Sequence, residues 1–252
     1  MSTTDATSGT ASAAGTEATS PAAELDRDAL LERYRIERDK RLRPDGSDQY
    51  VEVTGLFANY VDDPYIERVE RESLHDEVTV AIIGGGFAGL ITGARLKEAG
   101  VEDIRIIEKG GDVGGTWYWN RYPGAQCDTH SFVYMPLLEE TGHMPTEKYA
   151  HGPEILEHSQ RIAEHFDLYD DACFQTEVHS VDWDADAARW VIHTDRGDKM
   201  RARYITIGTG PLHRPKLPGI PGIETFTGHT FHTSRWDYDY TGGDPHGTPM
   251  DR

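Results

Sequence analysis

Residues 77–108 constrain this chain more tightly than any other stretch. Glu77-Val78-Thr79-Val80-Ala81-Ile82-Ile83 is a β-branched run of strand length. It leads straight into Gly84-Gly85-Gly86-Phe87-Ala88-Gly89, and an apolar helical pattern runs from Phe87 to Ala99, closed by Gly100. A second strand, Ile104-Arg105-Ile106-Ile107, ends at Glu108. Strand, glycine turn, helix, strand and terminal acid together specify a dinucleotide-binding βαβ unit in a parallel sheet.

Each position has a physical task. Gly84 permits the tight turn. Gly86 removes a side chain, so that pyrophosphate meets backbone N–H groups at the positive end of the helix. Gly89 lets helix and strand pack closely. Glu108 would accept hydrogen bonds from the adenosine ribose hydroxyls and would repel a 2′-phosphate, which favours FAD or NAD over NADP at this site.

Gly114-Gly115-Thr116-Trp117-Tyr118-Trp119-Asn120-Arg121-Tyr122-Pro123-Gly124-Ala125-Gln126-Cys127-Asp128 follows a few residues later. No helical or strand period accounts for three aromatics and an Arg among glycines. Three consecutive aromatics are not expected to share one core, so the run suits a backbone pressed against a flat, polar, conjugated ligand such as a flavin. Asp128, an acid in an aromatic-rich setting, is expected to need a partner.

This segment resembles the flavin-contacting stretch of the class B flavoprotein monooxygenases, and of the Baeyer–Villiger monooxygenases in particular. Phe226-Thr227-Gly228-His229-Thr230-Phe231-His232-Thr233-Ser234-Arg235-Trp236-Asp237 fits that family's pattern Phe-x-Gly-x-x-x-His-x-x-x-Trp followed by Pro or Asp. The charged N-terminal arm is similar to the extension of members acting on large cyclic ketones. The resemblance runs from about residue 25 to about residue 245.

The resemblance implies an α/β fold: a Rossmann-like, three-layer FAD-binding domain with a parallel sheet and a β-meander, behind a disordered tail and a helical arm. It places the FAD pyrophosphate at Gly84, Gly86 and Gly89, and the ribose at Glu108. Further cofactor contacts are implied for Phe87, Ala88, Lys109, Gly115, Tyr122 and Val178. Thr116 and Trp117 would lie along the flavin, Tyr134 would help fix the ring, and Cys127 would be a small buried neighbour. Asp128 would orient an active-site Arg and is the one catalytic candidate. His232 and Trp236 would belong to a linker that couples cofactor binding to domain motion.

The implied reaction uses NADPH and O2 to insert one oxygen atom into a ketone, giving an ester or lactone. Oxidation of soft nitrogen or sulfur is an alternative. A flavin- or NAD-dependent dehydrogenase sharing only the βαβ unit is disfavoured by residues 226–237. The family's second glycine-rich unit, for NADPH, and its catalytic Arg do not appear before Arg252. Gly208-Thr209-Gly210 runs into Pro211, and Gly242-Gly243 has no strand before it. The chain is therefore expected to be an N-terminal part: a truncated product, a non-catalytic FAD-binding protein, or one half of a split enzyme, with a complementing C-terminal half or a homo-oligomer as the partner.

The remaining segments fit this outline. Residues 1–23 lack large apolar side chains and are expected to be disordered, and 24–75 form an N-terminal extension with a charged helix from Leu25 to Arg43. The FAD domain is expected over 76–215. Residues 216–252 would be a linker opening the next domain. A helix over 153–166 should bury Ile155, Leu156, Ser159, Ile162, Ala163 and Phe166, with His158 and His165 on its polar side. Strands are expected at 174–181, 189–194 and 200–207.

A net charge of -19 argues against nucleic acid or an anionic membrane as partner. No apolar run approaches the roughly 18 residues of a membrane span. Two cysteines fit a reducing cytoplasm. No Cys or carboxylate completes a metal-ligand set around His229 and His232.

Overall fold

The computed structural model describes residues 26–246. The tail expected over 1–23 lies outside them. The chain separates into two compact units between Ser47 and Asp48. In the first, helix α1 (Arg27–Asp39) starts at Asp26, whose carboxylate accepts the Ala29 N–H. Glu37 pairs with Arg41 at i,i+4 at 3.8 Å, beside a shorter Glu37–Lys40 pair at 2.7 Å.

Among its described residues the second unit contains eight strands. β1 (Tyr50–Val51) pairs antiparallel with β8 (Leu217–Pro218). The others are β2 (Glu77–Ile83), β3 (Ile104–Ile107), β4 (Ala172–Cys173), β5 (Val178–Asp184), β6 (Arg189–Thr194) and β7 (Lys199–Ile207), in one sheet of order β4-β3-β2-β7-β6-β5. β4, β3, β2 and β7 run parallel, whereas β7, β6 and β5 form an antiparallel meander. Its helices are α2 (Phe87–Glu98), the single turns α3 (Thr116–Trp119), α4 (Ser131–Tyr134) and α5 (Leu138–Thr141), the longer α6 (Gly152–His165), and the turn α7 (Tyr238–Thr241).

Alternation along the strands builds three layers. Val80, Ile82, Ile104 and Ile106 pack against Leu90 and Ala94 of α2 and Ile162 of α6. Val78, Ala81 and Ile107 join Ile192, Met200 and Ala202 of the meander. Burying each such Ile or Leu contributes about 1.5–3 kcal/mol.

β5 starts four residues later than the periodicity suggests. Gln175 has φ +51°, and the N–H groups of Gln175 and Thr176 bond to the carbonyls of Gly110 and Glu108. The chain crosses the end of the sheet there instead of entering a ladder.

On α6 Ile155, Leu156, Ser159, Ile162 and Ala163 are buried as expected, while Phe166 caps the helix half-buried and His158 is buried with the apolar face. Its Nε2 lies 2.6 Å from the Pro136 carbonyl, and that bond makes an inward position tolerable. His165, the last residue of the helix, is exposed as expected.

Candidate active-site cleft

The ends of β2, β3 and β7 define the site. β2 has β3 on one side and β7 on the other, so the chain order reverses at its C-terminal end. Ligands of open α/β sheets collect at such a switch point. A cleft of about 380 Å³ opens there, with Ile83, Ile107 and Ile207 at its base.

Two close approaches shape the floor. A Cβ on Gly89 would stand 1.9 Å from the Gly84 carbonyl oxygen, so the helix can meet the turn only with glycine at that position. Gly115, at φ +53°, faces Gly86 across the cleft, and a Cβ on Gly115 would lie 2.8 Å from the Gly86 Cα. Beside this floor begins α2, whose first-turn N–H groups have no partner within the helix. Phe87 and Ala88 line the cleft there.

Glu108 is buried at the cleft edge. Its Oε2 accepts the Gly85 N–H at 2.6 Å and its Oε1 accepts the Gly110 N–H at 2.7 Å. Burial pushes the carboxyl pKa up, against the pull of these two donors. Each oxygen keeps a lone pair for a further donor. Lys109 also lines the cleft and pairs with Glu177 at 3.0 Å, next to Val178.

Thr116, Trp117, Trp119 and Tyr134 form the opposite wall. The Trp117 indole N–H donates to the Tyr134 hydroxyl at 2.8 Å. Burial raises the Tyr134 pKa, with the nearby Cys127 and Asp128 adding to the rise.

The aromatic run corrects the expectation that three neighbours do not share a core. Trp117, Tyr118 and Trp119 are 8, 0 and 1 % exposed. They occupy one helical turn, so their side chains leave about 100° apart, and the protein wraps around the turn. The Tyr118 hydroxyl donates to Asp63 at 2.5 Å and accepts the Gly111 N–H at 3.0 Å. Burial together with Asp63 drives its pKa up. Trp119 lies beneath Arg235. The same three residues serve as core and, through Trp117 and Trp119, as cleft wall.

Most of the sequence-derived site residues therefore meet at one cleft. Gly89 sits beneath it. Cys127 is buried in the aromatic cluster behind Trp117, its Sγ accepting the Thr129 N–H at 3.4 Å. Tyr122 lines a separate cavity of about 270 Å³ with Arg121. Asp128 is exposed, and its carboxylate forms no hydrogen bond among the described residues. The partner expected for it is not among the described residues, and the exposed carboxylate is open to solvent.

Thr176, Leu212 and His213 also line the cleft and were not foreseen. The signal for the last two was available: β7 ends beside β2, so the residues after Gly208-Thr209-Gly210 must pass the same opening. In the 226–237 segment, His232 Nδ1 accepts the Ser234 N–H at 3.1 Å, and the Trp236 indole donates to Thr241 at 2.9 Å. Asp237 caps α7 and meets His229 Nε2 at 2.7 Å. Among the described residues no helix is long and apolar enough to cross a membrane.

Residues 81–243 match the family described as pyridine nucleotide-disulphide oxidoreductase. The chain is 58 % identical over 221 residues to neopentalenolactone D synthase of Streptomyces avermitilis, covering 87 % of this chain and 37 % of that protein. It is 56 % identical over 219 residues to a Baeyer-Villiger monooxygenase of Streptomyces coelicolor, covering 86 % of this chain and 36 % of that protein. Among solved structures, the polycyclic ketone monooxygenase from Thermothelomyces thermophila superposes with a TM-score of 0.78 at 41 % identity, covering 86 % of this chain and 38 % of that one. OTEMO in complex with FAD and NADP gives 0.59 at 34 % identity, over 64 % of this chain and 31 % of that one. The chain thus spans little more than a third of the length of the relatives it matches.

Proposed function

Because the chain belongs to the pyridine nucleotide-disulphide oxidoreductase family and, within it, to the Baeyer–Villiger monooxygenases, we propose that its cleft holds FAD. The observation that carries this reading is the meeting of Gly86 and Gly115 beneath the Trp117–Tyr134 wall. A Cβ on Gly115 would lie 2.8 Å from the Gly86 Cα, so bare backbone closes this floor beside the α2 N-terminus, where a pyrophosphate would sit, and the wall offers a flat face to a conjugated ring.

The residues divide the work of binding. The first turn of α2 receives the pyrophosphate charge at its positive end. Glu108, already oriented by two backbone donors, takes the ribose hydroxyls on its remaining lone pairs. Thr116 and Trp117 lie along the ring system, and Tyr134 is held in place by the Trp117 indole. Behind them the buried aromatic cluster keeps water from that side of the cleft. When bound, FAD supplies the electron transfer and oxygen activation that the side chains lack.

For the whole protein the proposed reaction is insertion of one oxygen atom from O2 into a ketone, with NADPH as reductant, to give an ester or lactone. Ketone chemistry is favoured over nitrogen or sulfur oxidation by the relatives matched. Asp128, exposed beside Tyr134's end of the cleft wall, is proposed to orient a guanidinium contributed from beyond this chain. A complementing polypeptide or a second copy is the partner proposed for the chain by itself. A cytoplasmic location suits Cys127 and Cys173, both buried as free thiols.

The test is the visible absorption spectrum of the purified chain, with the released cofactor identified. Flavin bands at about one FAD per chain are expected. A folded, colourless protein that takes up no added FAD overturns the reading.

A further inference from the structure

Arg235 lies within the 226–237 segment but at none of its fixed positions. The residue is only 6 % exposed, and among the described residues no carboxylate is within ion-pair distance of it. Burial disfavours the charge, the nearby carboxylates of Asp63 and Asp62 favour it without direct contact, and hydrogen bonds and a ring hold the group in place. Nε donates to the Asp62 carbonyl at 3.0 Å and Nη1 to the Ser234 carbonyl at 2.8 Å. Nη2 makes a longer contact to the His213 carbonyl at 3.5 Å. The guanidinium stands over the Trp119 ring, 4.2 Å from its centroid, within range for a cation–π contact.

These contacts join parts of the chain that are otherwise linked pairwise, by Tyr60–Thr230, Tyr65–Trp119 and Asn120–Leu212 hydrogen bonds, and Arg235 is where all of them meet. Asp62 follows the turn Gly55–Val61, Trp119 ends α3, and His213 follows the end of β7. Trp119 and His213 both line the cleft, whereas Arg235 does not. Its neighbour Asp63 holds Tyr118 and the Gly111 N–H from the other side. One planar, multi-donor cation thus fastens the segment carrying His232 and Trp236 to two walls of the cleft.

We infer that Arg235 is a positioning residue for the flavin: it sets the Trp119 wall and the His213 loop, and makes cofactor affinity depend on docking of the 226–237 segment. The inference rests on the FAD reading. Lys could reach one carbonyl but could not supply the planar fork and the stack together.

The test titrates FAD into the full 252-residue chain, following flavin fluorescence and the visible spectrum. Arg235→Met should weaken binding about 10- to 100-fold and alter the bound flavin spectrum at saturation; Arg235→Lys should lose about 3- to 10-fold. In a Trp119→Phe background the Arg235→Met loss should shrink, because both changes act on one wall. Wild-type-like affinity, within about twofold, and an unchanged bound spectrum for Arg235→Met overturn the inference, as do fully additive losses. If Arg235→Met does not fold, Arg235→Lys decides by the same criterion. A wild-type chain that binds no FAD removes the flavin reading and this inference with it; a wild-type that binds while the variants bind equally removes the inference alone.

Discussion

Arg71 places both Nη atoms on the carboxylate of Asp198, at 2.8 and 2.7 Å, fastening the segment before β2 to the turn between β6 and β7. The Leu74 N–H and the Thr194 hydroxyl complete the shell around Asp198, at 2.7 and 2.6 Å. Burial alone would raise the Asp198 pKa, but Arg71 and these donors outweigh it and hold the carboxyl well below the usual range. Asp198→Asn keeps the shape but strands a partly buried guanidinium, and should cost about 2–4 kcal/mol in urea unfolding. A depressed folded-state pKa stabilises above the unfolded value near about 3.9 and loses that stabilisation as pH falls through the folded value. Wild type should therefore lose stability more steeply than Asp198→Asn below about pH 4. Equal urea midpoints, or parallel acid limbs, would contradict this account.

The glycines at the cleft should separate folding from ligand binding. Gly89→Ala drives a Cβ into the Gly84 carbonyl and should destabilise the chain by more than about 3 kcal/mol. Gly86→Ala meets the Gly115 Cα at 3.4 Å and its N at 3.8 Å, and φ −79° suits alanine. It should cost the apo protein no more than about 1 kcal/mol as a poorer helix cap. Its FAD affinity should nevertheless fall at least about tenfold, since the methyl group occupies the phosphate approach. Thermal melts of the apo protein and FAD titrations distinguish the two. A Gly86→Ala protein that binds FAD normally would move the pyrophosphate elsewhere.

His158 should make the fold acid-sensitive in a second, higher window. It stacks on His143 with ring centroids 5.0 Å apart, meets Phe87 edge-on, and leaves Nδ1 without a hydrogen bond. Burial lowers its pKa, with His143 and Arg161 adding to the fall and the Pro136 carbonyl and Glu154 opposing it. The unfolded chain thus binds this proton first. Stability is complete above about pH 6.5 and declines as pH drops below it. His158→Gln retains a donor for the Pro136 carbonyl without titrating. Its melting temperature should change less than the wild type's between about pH 7 and 5.5, and parallel curves would assign the loss to other groups.

The strands at 77–83, 104–107 and 189–194 were legible to the residue, because β-branched runs bounded by glycine or charge leave little choice. The cleft floor was legible for the same reason: glycines at fixed spacing have few other uses. The Trp117-Tyr118-Trp119 run was harder. A single-core argument fails where residues from the 63–66 stretch and Arg235 build a core on every side of one turn. His158 was misplaced because helical periodicity sees polarity and not the Pro136 carbonyl that makes it tolerable inside. Asp128 was expected to need a partner because of its aromatic neighbours, yet it is exposed directly after the buried Cys127. The stretch from 55 to 75 has no period to read; its order comes from contacts such as Arg71–Asp198 that close over long sequence distances.

The place of β7 in the sheet sets the order in which the molecule can assemble. β2 can pair with β3 as soon as both exist, because only a helix separates them. Its other edge waits for β7, whose Tyr204 lies opposite Val80 roughly 120 residues later in the chain. Until that strand inserts, β2 presents an unpaired backbone edge, and the turn at Gly84 has no Gly208 to rest on. Strand insertion should then be the slow, late event of folding and the interval of greatest exposure to aggregation. A nascent chain would acquire its cofactor cleft only after residue 210 or so had left the ribosome.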